Sequence, residues 1–447
     1  MLDFFTTIDD FVWGPPLLVL LVGTGIYLTL RLGLLQVLRL PKAFKLIFAE
    51  DKGEGDISSF AALATALAAT VGTGNIVGVA TAIKTGGPGA LFWMWIAAFF
   101  GMATKYAEGL LAIKFRTLDD QGNVSGGPMY YITHGFSGKW QIIAKPLAYF
   151  FAFAGVLVAW LGIGTFSQVN SITSSLQNSF GWSPKIVSVI LALITAAIIF
   201  GGIQSISKVS EKVVPFMAGL YIIAALIVIF ANFNQLLPVL EMVFQSAFTG
   251  KAAVGGFAGA TVMAAMRLGI ARGVFSNESG LGSAPIAAAA AKTEEPVEQG
   301  LISMTGTFID TIIICTLTGL AILVTGQWSG SLEGAPMTQA AFSSIFGTFG
   351  ELALTLSLVL FAFTTVLGWS YYGERCFEFI FKSTKFLSFY RLIFVVMVAL
   401  GGYLTLEVVW KIADIVNGLM ALPNLIALLV LSPIILKESK SYFERHK

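Results

Sequence analysis

The sequence predicts an all-α protein that crosses a membrane many times. Of its 447 residues, 56% are hydrophobic and only 12% are charged, and the mean hydropathy is +0.83. So few polar groups could not cover a water-exposed surface of this size. The apolar residues also form long runs, and about 18 apolar residues are needed to cross a bilayer as helix. We therefore expect one transmembrane domain over residues 1–447.

About eleven apolar runs are long enough to form transmembrane helices. Their cores are 14–33, 60–83, 88–114, 145–170, 184–202, 212–233, 253–291, 300–327, 348–373, 390–406 and 411–436. The first run follows Asp3, Asp9 and Asp10 without a preceding Lys or Arg. That is the wrong start for a cleaved signal peptide, so we expect this run to remain as a helix.

The distribution of Lys and Arg predicts an external N-terminus and a cytoplasmic C-terminus, because internal loops carry most of the positive charge. The residues that this orientation places inside are Arg39, Lys42, Lys45, Lys52, Lys114, Arg116, Lys139, Lys145, Lys208, Lys212, Arg375, Lys382, Lys385, Arg391 and the tail from Lys437 to Lys447. Only Lys84, Lys185, Lys251 and Lys411 then lie outside. We expect the plasma (inner) membrane of a prokaryotic cell, since the loops are minimal and no transit segment is apparent.

The second and seventh runs are unusual for transmembrane helices. The second contains ATVGTGNIVGVA, and the seventh is too long for one crossing and contains GIARGVFSNESGLGSAP. Glycine costs roughly 1 kcal/mol in a helix interior, and backbone groups at bilayer depth must still find partners. Both runs are therefore predicted to unwind where they line a cavity. For Gly74 to Gly78 alone, a helix-packing face of small residues is the alternative.

The two predicted breaks lie five helices apart, which indicates an inverted repeat. Helices two to six, residues 60–233, form the first set, and helices seven to eleven, residues 253–436, form the second. Because five crossings is an odd number, the second set is inverted, with a broken helix opening each repeat as in secondary transporters. The helix at 14–33 stands outside this plan.

A broken helix offers free N–H groups for anions and free carbonyls for cations. A zwitterionic amino acid fits this pattern without any charged side chain. Its carboxylate would face the N–H groups near Thr73, Gly74 and Asn75, and its ammonium would face carbonyls of the seventh helix between Gly273 and Ser276. The site is thus predicted to bind a small amino acid.

We expect a sodium ion to bind together with such a substrate. Na⁺ prefers hard oxygen ligands. Carbonyls at Ala68 and Val71 and the hydroxyls of Thr364 and Thr365 are suitable donors. Two different helices supply them, so ion binding would be coupled to helix spacing.

Several motifs resemble the alanine or glycine:cation symporter family. They are GTGNIVGVATA, GGPGALFWMW, GGPMYYI, VFSNESGLGSAPIAAAAAKT and VLGWSYYGE, and the resemblance covers nearly the whole chain. It implies the leucine-transporter-like inverted-repeat fold and sodium-driven uptake of alanine or glycine. It also implies Na⁺ as coupling ion without other cofactor or transition metal. The expected partners are substrate, Na⁺ and lipid, with no nucleic acid and no obligate protein.

The same resemblance suggests roles for individual residues. The substrate-binding residues would be Thr73, Gly74, Asn75, Gln168, Phe275, Ser276 and Trp369, of which Phe275 and Trp369 would wall the pocket. The sodium site would be Ala68, Val71, Thr364 and Thr365. Two bulky aromatic residues beside small ones favour alanine, glycine or serine, but a slightly wider pocket would take glutamine, because one methylene is worth only about 1–3 kcal/mol.

Simpler interpretations remain open for some of these residues. Gln168 could mark a wet external helix end, Trp369 an interfacial belt, and the hydroxyls of Thr364 and Thr365 could bond back to their own helix.

Ionisable residues within or beside the spans are functional hypotheses by default. We expect Arg272 and Glu278 to form a structural or gating pair at the inner end of the seventh helix, and Lys105 and Glu108 to form an ion pair. Asp310 would either partner a helix end or act as a conformational switch. Arg267 belongs to the same group, without a specific role.

Two other functional classes compete with a transporter. A channel would repeat one pore helix by symmetry, whereas this chain has two different breaks. An enzyme would need a base, a nucleophile or metal ligands, yet the chain has only 2 histidines, both outside the spans. Proton coupling is the main rival to sodium coupling.

Overall fold

The chain is almost wholly helical in a computed structural model that describes residues 2–51, 53–249, 262–403 and 406–446. Its α-helices are α1 Leu2–Val12, α2 Pro15–Arg31, α3 Leu35–Leu38, α4 Leu40–Ile47, α5 Ser59–Thr70, α6 Val79–Gly86, α7 Gly89–Lys114, α8 Pro128–Gly135, α9 Gln141–Leu161, α10 Phe166–Phe180, α11 Pro184–Ile199, α12 Gly202–Ala231, α13 Phe233–Thr249, α14 Val262–Asn277, α15 Ala284–Ala288, α16 Pro296–Thr307, α17 Thr316–Val324, α18 Gly334–Phe346, α19 Thr348–Phe381, α20 Leu387–Leu400, α21 Leu406–Val430 and α22 Ser432–Arg445.

Shorter elements join these helices. Two segments are π-helical, Gly74–Gly78 and Phe308–Cys315, and four are 3₁₀ turns, Gly138–Trp140, Gln327–Ser329, Thr384–Phe386 and Gly401–Tyr403. The strands β1 Thr117–Leu118 and β2 Val124–Ser125 form a small antiparallel hairpin in which Thr117 lies opposite Ser125.

Many of the predicted transmembrane helices are present. Among the described residues, seven helical stretches are long and apolar enough to cross a bilayer, or nine if each of two bent pairs is one crossing. The seventh predicted span begins at 253, which lies outside the described residues. Lys52, Lys251 and Lys447 also lie outside them. The count of eleven, the inverted repeat and the boundaries of its two halves therefore stay predictions.

The predicted break in the second span is confirmed. Helix α5 ends at Thr70, and the chain continues through the π-helical Gly74–Gly78 into α6 at an angle of 51°. Val71, just after α5, has ψ of 88°, which is outside the helical region. The glycines on both sides of Thr73 allow other parts of the chain to approach the break closely, since a Cβ on Gly72 would lie 2.4 Å from the Oγ1 of Thr365 and one on Gly74 would lie 3.0 Å from the Cα of Ser276.

The seventh span is also broken, inside the predicted motif GIARGVFSNESGLGSAP. Helix α14 continues to Asn277, the segment 278–283 is not helical, and α15 follows. Gly280 and Gly282 have φ of +90° and +83°, a region in which glycine avoids the clash that a Cβ would cause. The free carbonyl end of α14 therefore extends to Asn277, beyond the predicted stretch that ended at Ser276.

The predicted fourth span, 145–170, is two helices rather than one. Helix α9 ends at Leu161 and α10 begins at Phe166. Between them, a Cβ on Gly164 would lie 2.8 Å from the Cα of Ala159 and 2.9 Å from the Cβ of Trp369. Glycine permits this close approach. As a result, Gln168 lies on α10 and not on α9.

Two further helices lie where the sequence analysis expected connections. Helix α13 follows α12 after a single residue, and α18 occupies much of the stretch 325–347. The apolar face of α18 packs against α19 and buries Met337, Ala341 and Phe342.

The polar residues of the spans are concentrated inside the molecule. Helix α7 is buried along most of its length and packs against α14 and α16. By contrast, α11, α12 and α20 expose large apolar side chains such as Leu193, Phe216 and Leu392. Buried polar groups surrounded by an apolar exterior are the arrangement that a lipid environment requires.

Candidate substrate and ion site

A side chain of the second span, that of Asn75, stabilises the break in this span. The Oδ1 of Asn75 accepts the N–H of Gly72 at 2.9 Å, which replaces a bond that the interrupted helix no longer makes. Thr73, Gly74 and Asn75 are all buried here.

A buried carboxylate joins the two broken spans. The Nδ2 of Asn75 donates to Oδ1 of Asp310 at 2.7 Å, and the hydroxyl of Ser276 donates to Oδ2 at 2.9 Å. Asp310 lies in the π-helical Phe308–Cys315, with its Oδ2 also accepting the Thr311 hydroxyl at 2.7 Å. Asp310 is therefore a hydrogen-bond partner of residues at both breaks, and its two expected roles, helix-end partner and conformational switch, both stay predictions.

Two polar groups at the second-span break have no partner within the described part of the chain. They are the Oγ1 of Thr73 and the Nε2 of Gln168. The Oε1 of Gln168 accepts the N–H of Thr73 at 3.4 Å, so the two orphan groups belong to neighbouring residues. Gln168 is fully buried and not at a wet helix end. Orphan polar groups in a buried site indicate that a ligand or water completes their hydrogen bonds.

Oxygen atoms gather where α5 ends against α19. The Oγ1 of Thr365 lies 3.2 Å from the carbonyl oxygen of Ala68 and 3.1 Å from that of Phe361. The Oγ1 of Thr364 lies 3.0 Å from the same Phe361 oxygen and 3.6 Å from the Sδ of Met217. Both threonines thus bond back to their own helix, and Thr365 also reaches the second span.

Three of the four predicted sodium ligands are therefore linked through shared oxygen contacts. Val71 is buried just past the end of α5, but none of the hydrogen bonds in the described residues joins it to either threonine. The carbonyl oxygen of Phe361 is a further candidate ligand that was not among the predicted ones. Carbonyl and hydroxyl oxygens on two helices are suitable for a hard cation.

The two predicted wall residues, Phe275 and Trp369, are buried on different helices. The indole Nε1 of Trp369 donates to Oε1 of Glu278 at 2.9 Å, and the Oε2 of Glu278 accepts the Ser283 hydroxyl at 2.5 Å. Trp369 is fully buried and therefore not an interfacial-belt residue. The ring of Phe275 lies beneath the guanidinium of Arg272, 5.4 Å from Cζ to the ring centroid.

The expected pair of Arg272 with Glu278 is wrong. The Nη2 of Arg272 bonds to Oδ2 of Asp414 on α21 at 2.9 Å. Arg272 precedes Glu278 by six residues along the seventh span. The break after Asn277 turns Glu278 toward Trp369, so the two side chains serve different helices. Arg267 makes a more exposed pair with Asp10 of α1.

The expected ion pair between Lys105 and Glu108 is also wrong. The ammonium of Lys105 donates to the carbonyl of Asn277 at 2.8 Å, at the end of α14. The Oε1 of Glu108 accepts the N–H groups of Gly280 and Gly282 at 3.1 and 3.2 Å. Each charge instead satisfies backbone groups that the seventh-span break leaves free.

A wide cavity leads toward these residues from one side of the molecule. Its volume is about 750 Å³. The second span contributes Val77 and Gly78 to its lining, α10 contributes Ser171 and Ser175, and the seventh span contributes Arg272. Asn75, Gln168 and Phe275 are buried beyond that lining. The candidate site is thus closed in this conformation, with Arg272 between it and the cavity.

Two interrupted spans around a buried polar pocket, reached from a cavity on one face, define the class of secondary transporters. The structure of MhsT in complex with L-phenylalanine has the same fold, with a TM-score of 0.60 at 14% identity over 85% of this chain and 89% of that one.

A profile of the sodium:alanine symporter family matches residues 1–447, and the chain belongs to this family. The sodium/alanine symporter AgcS of Methanococcus maripaludis is 51% identical over 99% of this chain and 97% of its own length. An uncharacterized transporter of Haemophilus influenzae is 54% identical over 99% of this chain and 96% of its own length. The chain is thus a membrane-embedded amino-acid symporter and not an enzyme.

Proposed function

We propose that the protein imports a small neutral amino acid, alanine or glycine, together with Na⁺ by alternating access. The observation that carries this proposal is the pair of buried orphan groups on Thr73 and Gln168 at the break of the second span. A hydroxyl and an amide N–H that lack partners on two residues joined by a hydrogen bond, at the start of the second half of a broken helix, suit the carboxylate of an amino acid.

The size of the substrate follows from the walls of the pocket. A Cβ on Gly74 would lie 3.0 Å from the Cα of Ser276, so the two breaks already touch and leave little width. The rings of Phe275 and Trp369 are fully buried near the same breaks. These contacts favour alanine and glycine, and the name of the 51% identical relative supports alanine.

Sodium coupling is supported by the oxygen cluster between α5 and α19. The hydroxyls of Thr364 and Thr365 and the carbonyls of Ala68 and Phe361 are uncharged hard ligands, to which Val71 would add its carbonyl. An ion bound there would hold the second and ninth predicted spans together, so its release would free them to separate. Moving one such charge through 100 mV provides roughly 2.3 kcal/mol, or about fifty-fold accumulation of substrate.

Proton coupling is the second candidate, and Asp310 is the observation that favours it. Its carboxylate is fully buried and bonds to residues of both broken spans, so a change in its protonation would alter both at once. In that mechanism uptake would follow a pH gradient and would not require Na⁺.

Import follows from the inward Na⁺ gradient, because the amino acid and the ion would cross together. The positive-inside distribution of Lys and Arg predicts that the wide cavity faces outward. The cytoplasmic side would then be the side of the hairpin β1–β2, and the N-terminus would lie outside.

Uptake of labelled alanine into proteoliposomes tests these proposals. We expect an inward Na⁺ gradient to drive accumulation and a pH gradient alone to leave it near background. Thr365→Ala should lower Na⁺-driven uptake at least about tenfold, because loss of a ligand from a hard-cation site costs on the order of 1.4 kcal/mol or more.

Thr365→Ser is the matched control, since it keeps the hydroxyl and removes only a methyl group. Its uptake should stay close to that of the wild type. Accumulation driven by the pH gradient alone would contradict the sodium mechanism and support the role of Asp310. Equal loss in Thr365→Ala and Thr365→Ser would show that packing, and not an ion ligand, explains the effect.

A further inference from the structure

Helix α21 carries a buried asparagine that the site described above does not use. Asn417 is fully buried, and neither its Nδ2 nor its Oδ1 has a hydrogen-bond partner among the described residues. Most buried carboxamides in proteins are hydrogen-bonded. A fully orphaned one inside a transporter therefore indicates a group that arrives from outside the chain, either a ligand or water.

The neighbours of Asn417 along α21 show which way it points. Asp414 bonds to Arg272 at 2.9 Å, and the Nδ2 of Asn424 bonds to the carbonyl of Gly280 at 2.9 Å, so both face the seventh span. A helix turns by about 100° per residue. Asn417 therefore points about 20° away from the direction of Asn424 and about 60° away from that of Asp414, toward the same span.

The depth of Asn417 matches that of the substrate pocket. It lies three residues beyond Asp414, or about 4.5 Å along the helix axis. On the seventh span, Phe275 lies three residues beyond Arg272, the partner of Asp414, and its ring is 5.4 Å from the guanidinium. Asn417 and Phe275 are thus one turn below the same ion pair.

A second set of contacts gives the same depth. A Cβ on Gly155 of α9 would lie 2.6 Å from the Sγ of Cys376 and 4.0 Å from the Sδ of Met420, so these two side chains are level. Helix α19 runs antiparallel to α9, because Ala159, nearer the end of α9, meets the earlier residue Gly373 of α19. Helix α21 is also antiparallel to α9, because a Cβ on Gly282 would meet both Phe151, nearer the start of α9, and Asn424, later in α21.

One turn back from Met420 and Cys376 lie Asn417 and the pair Tyr372–Gly373. The ring of Tyr372 packs edge-on against Trp369, with centroids 5.4 Å apart. Its buried hydroxyl also lacks a partner in the part of the chain that the structure describes. Two orphan polar side chains from two helices therefore lie at the depth of the pocket walls.

We propose that Asn417, with the hydroxyl of Tyr372 at the same depth, forms a polar subsite of the substrate pocket for a side chain that both donates and accepts a hydrogen bond. A carboxamide presents an N–H donor and a carbonyl acceptor, which matches a hydroxyl or a second carboxamide on the substrate. The inference rests on the proposed function, and it adds serine or glutamine to the substrates beside alanine. With alanine bound, water would fill the subsite.

Competition with labelled alanine tests the subsite in proteoliposomes of the full chain. Serine and 2-aminobutyrate have nearly the same shape, and only serine has a hydroxyl. We expect serine to inhibit wild-type uptake at a lower concentration than 2-aminobutyrate. In Asn417→Leu this preference should fall about tenfold or more, because a site built to bond a polar group discriminates strongly by its presence.

Thr195→Val is the matched control, since it removes an orphan buried hydroxyl on α11 and should leave the preference unchanged. Tyr372→Phe should also lower the preference for serine. It provides the test if the Asn417→Leu protein does not reach the membrane. Adding glutamine and its apolar isostere of equal length separates a hydroxyl subsite from a carboxamide subsite.

Either of two results would overturn the subsite. One is a wild-type protein that binds 2-aminobutyrate as well as serine, and the other is an unchanged preference in both Asn417→Leu and Tyr372→Phe. A wild-type protein without alanine uptake would instead refute the proposed function itself, so the two failures are distinguishable.

Discussion

Gly72 occupies the point where three parts of the site come closest together. A Cβ there would lie 2.4 Å from the Oγ1 of Thr365 and 3.4 Å from the Oε1 of Gln168. Both atoms are held by hydrogen bonds, from Thr365 to the carbonyl of Ala68 and from the N–H of Thr73 to Gln168. The glycine is therefore required by packing, and any side chain would displace a candidate ligand.

Gly72→Ala should abolish most Na⁺-dependent alanine uptake. Overpacking costs about 1–3 kcal/mol. At this position the added methyl group would displace Thr365 and Gln168 and so weaken ion and substrate binding. Gly78→Ala is the matched control in the same broken segment, because nothing lies within 4 Å of a Cβ at Gly78. Uptake by reconstituted protein is the measurement, and equal loss in both variants would contradict the role given to Gly72.

At the scale of elements, α7 supports the break of the seventh span with two charges one turn apart. Lys105 neutralises the carbonyl end of α14, and Glu108 binds the N–H groups that follow it. Asn424 of α21 also donates to Oε1 of Glu108 at 2.6 Å. The unwound segment 278–283 is thus fixed by neighbouring helices and is not a flexible linker.

We expect Glu108→Leu to melt several degrees below Glu108→Gln in a thermal unfolding experiment in detergent. The leucine would leave two backbone N–H groups without an acceptor, at about 1–3 kcal/mol each, and would remove one of the two acceptors of the Asn424 amide. The glutamine keeps a carbonyl oxygen of similar reach. Equal melting temperatures would show that the N–H groups find other partners and that Glu108 is not their support.

At the scale of the whole molecule, the closed site is separated from the wide cavity by a partly buried ion pair. Arg272 and Asp414 belong to α14 and α21, and their side chains are only 20% and 6% exposed. The helix α1, outside the predicted repeat, adds pairs from Asp9 to Lys411 and from Asp10 to Arg267. These contacts tie the same two helices together at the mouth of the cavity.

Asp414→Asn should release bound alanine about tenfold faster or more. Breaking one side of a buried pair costs roughly 3–5 kcal/mol, and the loss falls on the closed state, so the open state becomes more populated. Asp10→Asn is the control, because the exposed pair with Arg267 is worth about 0–1 kcal/mol. Dissociation of labelled alanine from purified protein gives both rates, and similar rates in the two variants would argue against a closing role for Asp414.

The membrane class, both breaks and the family could be predicted from the sequence because they depend on local properties. Hydropathy over a single helix marks a span, and the glycines of ATVGTGNIVGVA and of the segment near Gly280 weaken their helices wherever they lie. An ionisable residue within a span is a functional hypothesis by default, so the sequence alone predicts a functional role for Asp310.

The partners of the buried side chains were decided only by the tertiary structure. Three-residue spacing suggested that Lys105 should pair with Glu108, but the break of α14 brings free carbonyl and N–H groups to each of them instead. Arg272 likewise finds Asp414, 142 positions away, rather than Glu278. Nothing in the pattern of α21 distinguishes Asn417 from a packing residue. In a low-dielectric interior an unpaired polar group is costly, so each one bonds to a partner that the fold brings close. Sequence spacing predicts that partner only within one continuous helix.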